Sequence, residues 1–80
     1  MDRIHKFLAK LSTKPRERVI AAIAAITNNH LEGMDVKPLK GKKGWFRCRL
    51  GDIRIIFVRT QSHTNVVVEV DFRGKVYRRF

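Results

Sequence analysis

From Trp45 to Leu50 the chain alternates strictly: Phe46, Cys48 and Leu50 interleave with Trp45, Arg47 and Arg49. A period of two is a strand, here with one apolar and one basic face. Gly51-Asp52 follows, and then Ile53 to Val58 is apolar on both faces, as in a central strand. Two such runs separated by two turn-forming residues predict a β-hairpin, although Asp-Gly order would be the stronger signal. The register follows. Leu50 faces Ile53, Arg49 faces Arg54 and Arg47 faces Ile56. Arg47 and Arg49 share a face at a spacing of roughly 7 Å. Three guanidiniums therefore crowd one patch. Like charges directly opposite each other destabilise a sheet, and a bound anion relieves them. Arginine suits that role because its planar fork makes bidentate contacts to phosphate.

The first third has a different period. Ile4, Phe7, Leu8 and Leu11 fall on one helical face. Ser12-Thr13-Lys14-Pro15 interrupts the pattern, and Pro15 suits the first position of a second helix. Glu17 in its first turn favours the helix dipole. Val19, Ile20, Ile23 and Ile26 line the second apolar face, and Asn28-Asn29-His30 with Gly33 ends it. Met34 to Leu39 reads as a short extended lead-in, Gly41-Lys42-Lys43-Gly44 as a flexible basic loop, and Gln61 to Asn65 as a polar loop. Val66 to Phe72 predicts another strand. Val66, Val68, Val70 and Phe72 lie on one side, and Val67, Glu69, Asp71 and Arg73 on the other. The expected fold is α+β: an N-terminal helical hairpin packed on a small antiparallel sheet of three to four strands, with residues 1–80 as one domain.

Charge narrows the function. Eighteen Lys and Arg against seven Asp and Glu give +11, which points to a polyanionic partner: nucleic acid, an anionic membrane or an acidic protein. Residues 1–34 carry six basic and three acidic side chains; residues 35–80 carry twelve and four. The sheet half is the expected contact surface. The lone Cys48 excludes an internal disulfide and a cysteine-based zinc site. No apolar run approaches the ~18–20 residues of a membrane span, and no signal-peptide pattern is present. A cytoplasmic protein is expected.

HExxH, P-loop and GxSxG motifs are absent from the sequence. An enzyme built on this chain is expected to need no metal or cofactor and to use charge stabilisation at a phosphodiester. Arg73 joins the arginine patch if the last strand alternates regularly. Glu69 and Asp71 then orient the arginines as salt-bridge partners. Tyr77 either stacks on a base or packs on the sheet edge. His5, His30 and His63 read as solvated or structural. Lys42 and Lys43 are expected to add phosphate contacts.

The order of elements resembles the RelE/ParE toxin superfamily over nearly the whole chain. The resemblance lies in Asp35-Val36-Lys37-Pro38-Leu39-Lys40-Gly41, in the run from Trp45 to Phe57 and in the run from Phe72 to Arg78. It implies a toxin of a type II toxin–antitoxin system: a ribosome-dependent endoribonuclease that cuts mRNA in the A site. The 2′-OH attacks the neighbouring phosphate, with no metal. By position, Arg47 and Arg49 match the two basic residues of the first hairpin strand. Arg54 matches the arginine that holds the transition-state phosphate, Arg73 the one that protonates the leaving oxygen, and Tyr77 the tyrosine that stacks on or orients the nucleotide. The implied partners are a cognate antitoxin, mRNA and the ribosome.

Two features depart from that pattern. The family usually opens with a strand before the helical hairpin, whereas this chain starts almost directly in a helix. The sheet is expected to lack that strand or to receive one from a partner, with the antitoxin docking on the edge. RelE also has lysines where Arg47 and Arg49 stand, and an arginine with a pKa above about 12 is a poor general base. Tyr77 or ribosomal groups would then assist, or the activity is weak. The alternatives are a ParE-like inhibitor of DNA gyrase and a non-catalytic nucleic-acid binder descended from a toxin.

Overall fold

Asp2 starts the first helix. Its carboxylate accepts the His5 backbone N–H at 2.9 Å, pairing one of the N–H groups that a helix start leaves open. In the computed structural model, which describes residues 2–76, α1 runs Arg3–Lys10. Arg16 closes its far end: Nε–H donates to the Leu8 carbonyl at 2.9 Å and Nη2–H to that of Leu11 at 2.6 Å. The Leu8 carbonyl also accepts the Leu11 N–H at 3.1 Å, and Leu11 is the residue that caps the helix, where backbone carbonyls run out of intrahelical donors. One side chain thus fastens α1 to the next element.

That element, α2, spans Thr13–Thr27. It begins two residues before Pro15, the start expected from the sequence. The Arg16 N–H already bonds the Ser12 carbonyl at 3.1 Å. Pro15 is the third residue of the helix, where an N–H would still lack an intrahelical partner. Val19, Ala22 and Ile26 are buried, at steps of three and four residues. Ile20, expected inside, is 50% exposed. The small Ala22 takes the inward place and lets the helix approach closely.

Four strands follow: β1 Asp35–Pro38, β2 Trp45–Leu50, β3 Ile53–Arg59 and β4 Asn65–Phe72. Their order is β1-β2-β3-β4 and every neighbouring pair is antiparallel. A short α3, Arg73–Val76, closes the described chain. The fold is α+β, with three helices and a four-stranded antiparallel sheet among the described residues. The hairpin register is the expected one, with Leu50 opposite Ile53 and Arg49 opposite Arg54.

One face of the sheet carries Cys48, Ile53, Ile55, Phe57 and Val70, and these pack with Phe7, Val19, Ala22 and Ile26 of the helices. Phe46 stacks on Phe57 at 5.4 Å. The last strand departs from simple alternation. Val67 pairs with Phe57 and Glu69 with Ile56, so the ladder shifts there and leaves Val68 as an extra residue. Val67 therefore packs on the core, while Val66 and Val68, expected on the side of Val70, are exposed.

A polar cluster ties the end of α2 to this strand. Asn65 Nδ2 donates to the Ile26 carbonyl at 2.9 Å and to Asn29 Oδ1 at 3.2 Å. Arg59 donates to both asparagines, to Asn65 Oδ1 at 3.2 Å and to Asn29 Oδ1 at 2.7 Å. Asn29 has a φ of 57°, a left-handed conformation that asparagine tolerates better than most residues.

Candidate nucleic-acid interface

The helices α1 and α2 cover one face of the sheet, and the other carries the basic side chains. A single row crosses all four strands there. Asp35 pairs with Arg49, Arg49 with Arg54, and Arg54 with Asp71. The row reads acid, base, base, acid. Its flanking carboxylates reduce the repulsion at its centre, so a bound anion is not the only source of relief. The sequence signal for this was available but split: Asp35 and Asp71 are 36 residues apart and meet one row only through two ladders.

The arginines of the face differ in what they are free to do. Arg49 is exposed. Arg54 is only 8% exposed, and its Nη1 donates to the Gly51 carbonyl at 2.7 Å and to that of Ile53 at 3.1 Å. The guanidinium is folded into the turn and held there. Arg47 lies 3.6 Å from Asp35 through Nη1, beyond hydrogen-bond range, and that buried nitrogen makes no hydrogen bond. A buried donor in this condition is costly, and the Arg47 side chain is only 18% exposed.

Arg73 reaches the patch by another route than strand alternation. It is the first residue of α3 and is exposed. Its backbone N–H donates to the Asp52 carbonyl at 2.8 Å. That bond sets it beside the β2–β3 turn, at the end of the face that also holds Arg49 and Arg54. α3 packs on β3 and β4, and both Val76 and Ile56 are fully buried.

Lys42 and Lys43 lie at the opposite end of β2 and do not join this cluster. Their loop is made of consecutive turns. The Lys42 N–H donates to the Leu39 carbonyl at 3.3 Å, and the Trp45 N–H to that of Lys42 at 3.1 Å. Glu69, expected among the hairpin arginines, is 2% exposed and pairs with Arg3 at 2.9 Å. Sequence reading did not single out Arg3, which is 66 positions away. Tyr77 lies outside the described residues. His5 bonds Asp2 at 3.0 Å, and His63 sits in a turn with a φ of 64°.

Cys48 faces the core, and its thiol pKa is raised by burial first and by the charge of Asp35 second, against an opposing effect of Arg47. Among the described residues no group of three or more His, Cys, Asp or Glu side chains could hold a metal ion. No helix there is long and apolar enough to cross a membrane.

Comparison with known proteins yields a likeness to a solved structure. No family model matches the chain, and the search of curated proteins found no match. Among solved structures, the chain resembles one from the RelB-RelE antitoxin-toxin complex of Methanococcus jannaschii, with a TM-score of 0.72 and 26% identity. The likeness covers 94% of this chain and 89% of the other. This is a toxin–antitoxin fold. The description of that complex names both components, and the likeness supports membership of such a system without assigning this chain to one of them.

Proposed function

We propose that the chain is the toxin of a type II toxin–antitoxin pair and a metal-independent endoribonuclease acting on ribosome-bound mRNA. The observation that carries this reading is the convergence of Arg49, Arg54 and Arg73 at one end of the sheet face opposite α1 and α2. A toxin–antitoxin fold supplies the context. Exposed Arg49 and Arg73 would grip the phosphate. Arg54, fixed by two carbonyls before any substrate arrives, would stabilise the charge that builds on the phosphoryl oxygens, with little reorganisation.

The reaction would be transesterification. The 2′ oxygen bonds to phosphorus, the bond to the 5′ oxygen breaks, and a cyclic phosphate and a 5′ hydroxyl result. Arg73 would hold and protonate the leaving oxygen, and Tyr77 would stack on or orient the nucleotide. The proton of the 2′-OH needs an acceptor. An arginine cannot serve at neutral pH, but Asp71 stands in the row beside Arg54 and is a carboxylate of the right type.

An antitoxin is the second partner in this reading. β4 is an edge of the sheet and carries the exposed Val66, Val68 and Phe72. Beside it a cleft is lined by Phe7 and Phe72 and by Arg3, Lys6, Lys10 and Lys75. An acidic, extended segment fits both features, adding a strand to the edge while its charges meet the basic rim. The function is tested by primer extension on translated mRNA after induction. New 5′ ends within coding regions are expected. Intact transcripts with stalled supercoiling would instead identify a gyrase inhibitor, and intact transcripts with normal supercoiling a non-catalytic binder.

A further inference from the structure

Basic side chains also gather beside α1. A cleft of about 240 Å³ opens between α1 and β4, where Arg3, Lys6 and Lys10 of α1 meet Lys75 of α3. Two carboxylates, Glu69 and Asp71, share its lining. Glu69 pairs with Arg3 at 2.9 Å, and Asp71 accepts the Phe72 backbone N–H at 2.8 Å. Lys6, Lys10 and Lys75 are exposed, and among the described residues no side-chain hydrogen bond or ion pair engages any of the three. Lys6 and Lys10 stand one helical turn apart, where like charges destabilise a helix. Four cations against two carboxylates leave the lining with an excess of two positive charges.

The floor of the cleft is apolar. Phe7 and Phe72 meet edge to face there, with ring centres 5.1 Å apart at an angle of 69°. Such a contact covers at most one face of the Phe72 ring, and that residue is 42% exposed. An aromatic ring with an open face thus lies beside three ammonium groups. The volume is below the roughly 300–1,000 Å³ of drug-sized sites, so the cleft suits one ring and one anionic group.

We propose that this cleft binds a nucleoside monophosphate, with the base on the Phe72 ring and the phosphate among Lys6, Lys10 and Lys75. A phosphate monoester carries about −1.5 to −2 charges at neutral pH, which matches the excess of the lining. The base supplies the face that an aromatic side chain stacks on. Bare phosphate leaves the ring unused, and a phosphodiester brings half the charge. The site is independent of the cleavage chemistry proposed above. It draws on the same lysines as an acidic antitoxin segment, so nucleotide and segment exclude each other.

The test is calorimetric titration of the full chain with AMP, adenosine, inorganic phosphate and 3′,5′-cyclic AMP, which keeps the base but carries one charge. AMP is expected to bind more tightly than each of the others by roughly ten-fold or more. Phe72→Leu keeps an apolar side chain in place, and should weaken AMP about ten-fold while leaving phosphate binding unchanged. The Lys6→Gln, Lys10→Gln double variant should weaken AMP roughly ten-fold. Lys14→Gln with Lys40→Gln removes the same charge elsewhere and should not. Oligoadenylates with a 5′ phosphate or a 5′ hydroxyl then compete against AMP. Displacement by the phosphorylated oligomer alone assigns the ligand to an RNA end, and displacement by neither assigns it to a free nucleotide. Equal displacement by both makes the cleft part of a general RNA surface and overturns the site. Absence of AMP binding, equal affinities for AMP, cyclic AMP and phosphate, or equal losses in the two double variants also overturn it.

Discussion

Arg49 stands directly across from Arg54 in the β2–β3 ladder, yet only Arg49 is exposed. Arg54 is turned into the carbonyls of Gly51 and Ile53. Two like charges thus share a row with different freedom, one side chain exposed and one held at the turn. Asp35 and Asp71 complete the row at either end.

This division predicts a difference in salt dependence. Each phosphate contact to a single strand contributes about 0.7 to the slope of log affinity against log salt. Arg49→Ala should lower the slope for RNA binding by about that amount and leave the urea midpoint unchanged. Arg54→Ala should instead lower the midpoint, because the turn carbonyls lose their donor. Binding isotherms at several salt concentrations, paired with urea unfolding, check both.

Asp71→Asn removes the candidate proton acceptor and one negative charge from an anion-binding face. Cleavage should fall while RNA affinity holds or rises. Single-turnover rates measured beside equilibrium affinities separate the two effects. A fall in affinity with an unchanged rate would make Asp71 a positioning group for Arg54.

The polar cluster at the end of α2 carries a stability prediction. In Asn65→Ala the Ile26 carbonyl loses its side-chain donor, and Arg59 loses an acceptor. The Ile26 carbonyl keeps the Asn29 N–H and Arg59 keeps its bond to Asn29, so the loss is that of the side-chain hydrogen bonds themselves, about 1–3 kcal/mol in all. Urea unfolding should show a loss of this size, with an unchanged slope.

Cys48 predicts a pH effect. Burial, aided by Asp35, raises its folded-state pKa, so folding favours the neutral thiol. The stability this contributes is fully present below the ordinary thiol range and is lost as pH rises through that range toward the folded-state value. Cys48→Ala should flatten the alkaline fall in stability. The wild-type thiol should also resist alkylation at neutral pH until urea unfolds the chain, as thiol labelling with and without urea would show.

The hairpin register could be read from sequence because a two-residue turn at Gly51-Asp52 leaves few alternatives, and because a slip by one would turn Cys48 and Ile55 outward. The helix faces were readable for a similar reason, except at Ile20, where Ala22 packs inward instead. What periodicity does not encode is a bulge. Val68 is an extra residue in the ladder, and nothing in a run of three valines marks which one is extra. Rotamers are equally silent. Alternation places Arg54 on the basic face, but only the local carbonyls decide that its guanidinium folds into the turn. The pairing of Arg3 with Glu69 joins the two ends of the chain, beyond any pattern of spacing. The row from Asp35 to Asp71 needed three registers at once, and sequence reading supplied one.

The central claim is that the arginine face cuts RNA rather than only holding it. The most direct test is cleavage of mRNA on programmed ribosomes by wild type and by Arg73→Ala, side by side. Arg73 is exposed and tied to the fold through its backbone, so the variant should fold as wild type does. The account predicts metal-independent cuts by wild type and a rate lower by roughly a hundred- to a thousand-fold for Arg73→Ala, the usual cost of removing one transition-state donor. Equal cleavage by the two proteins, or none by either, would contradict it.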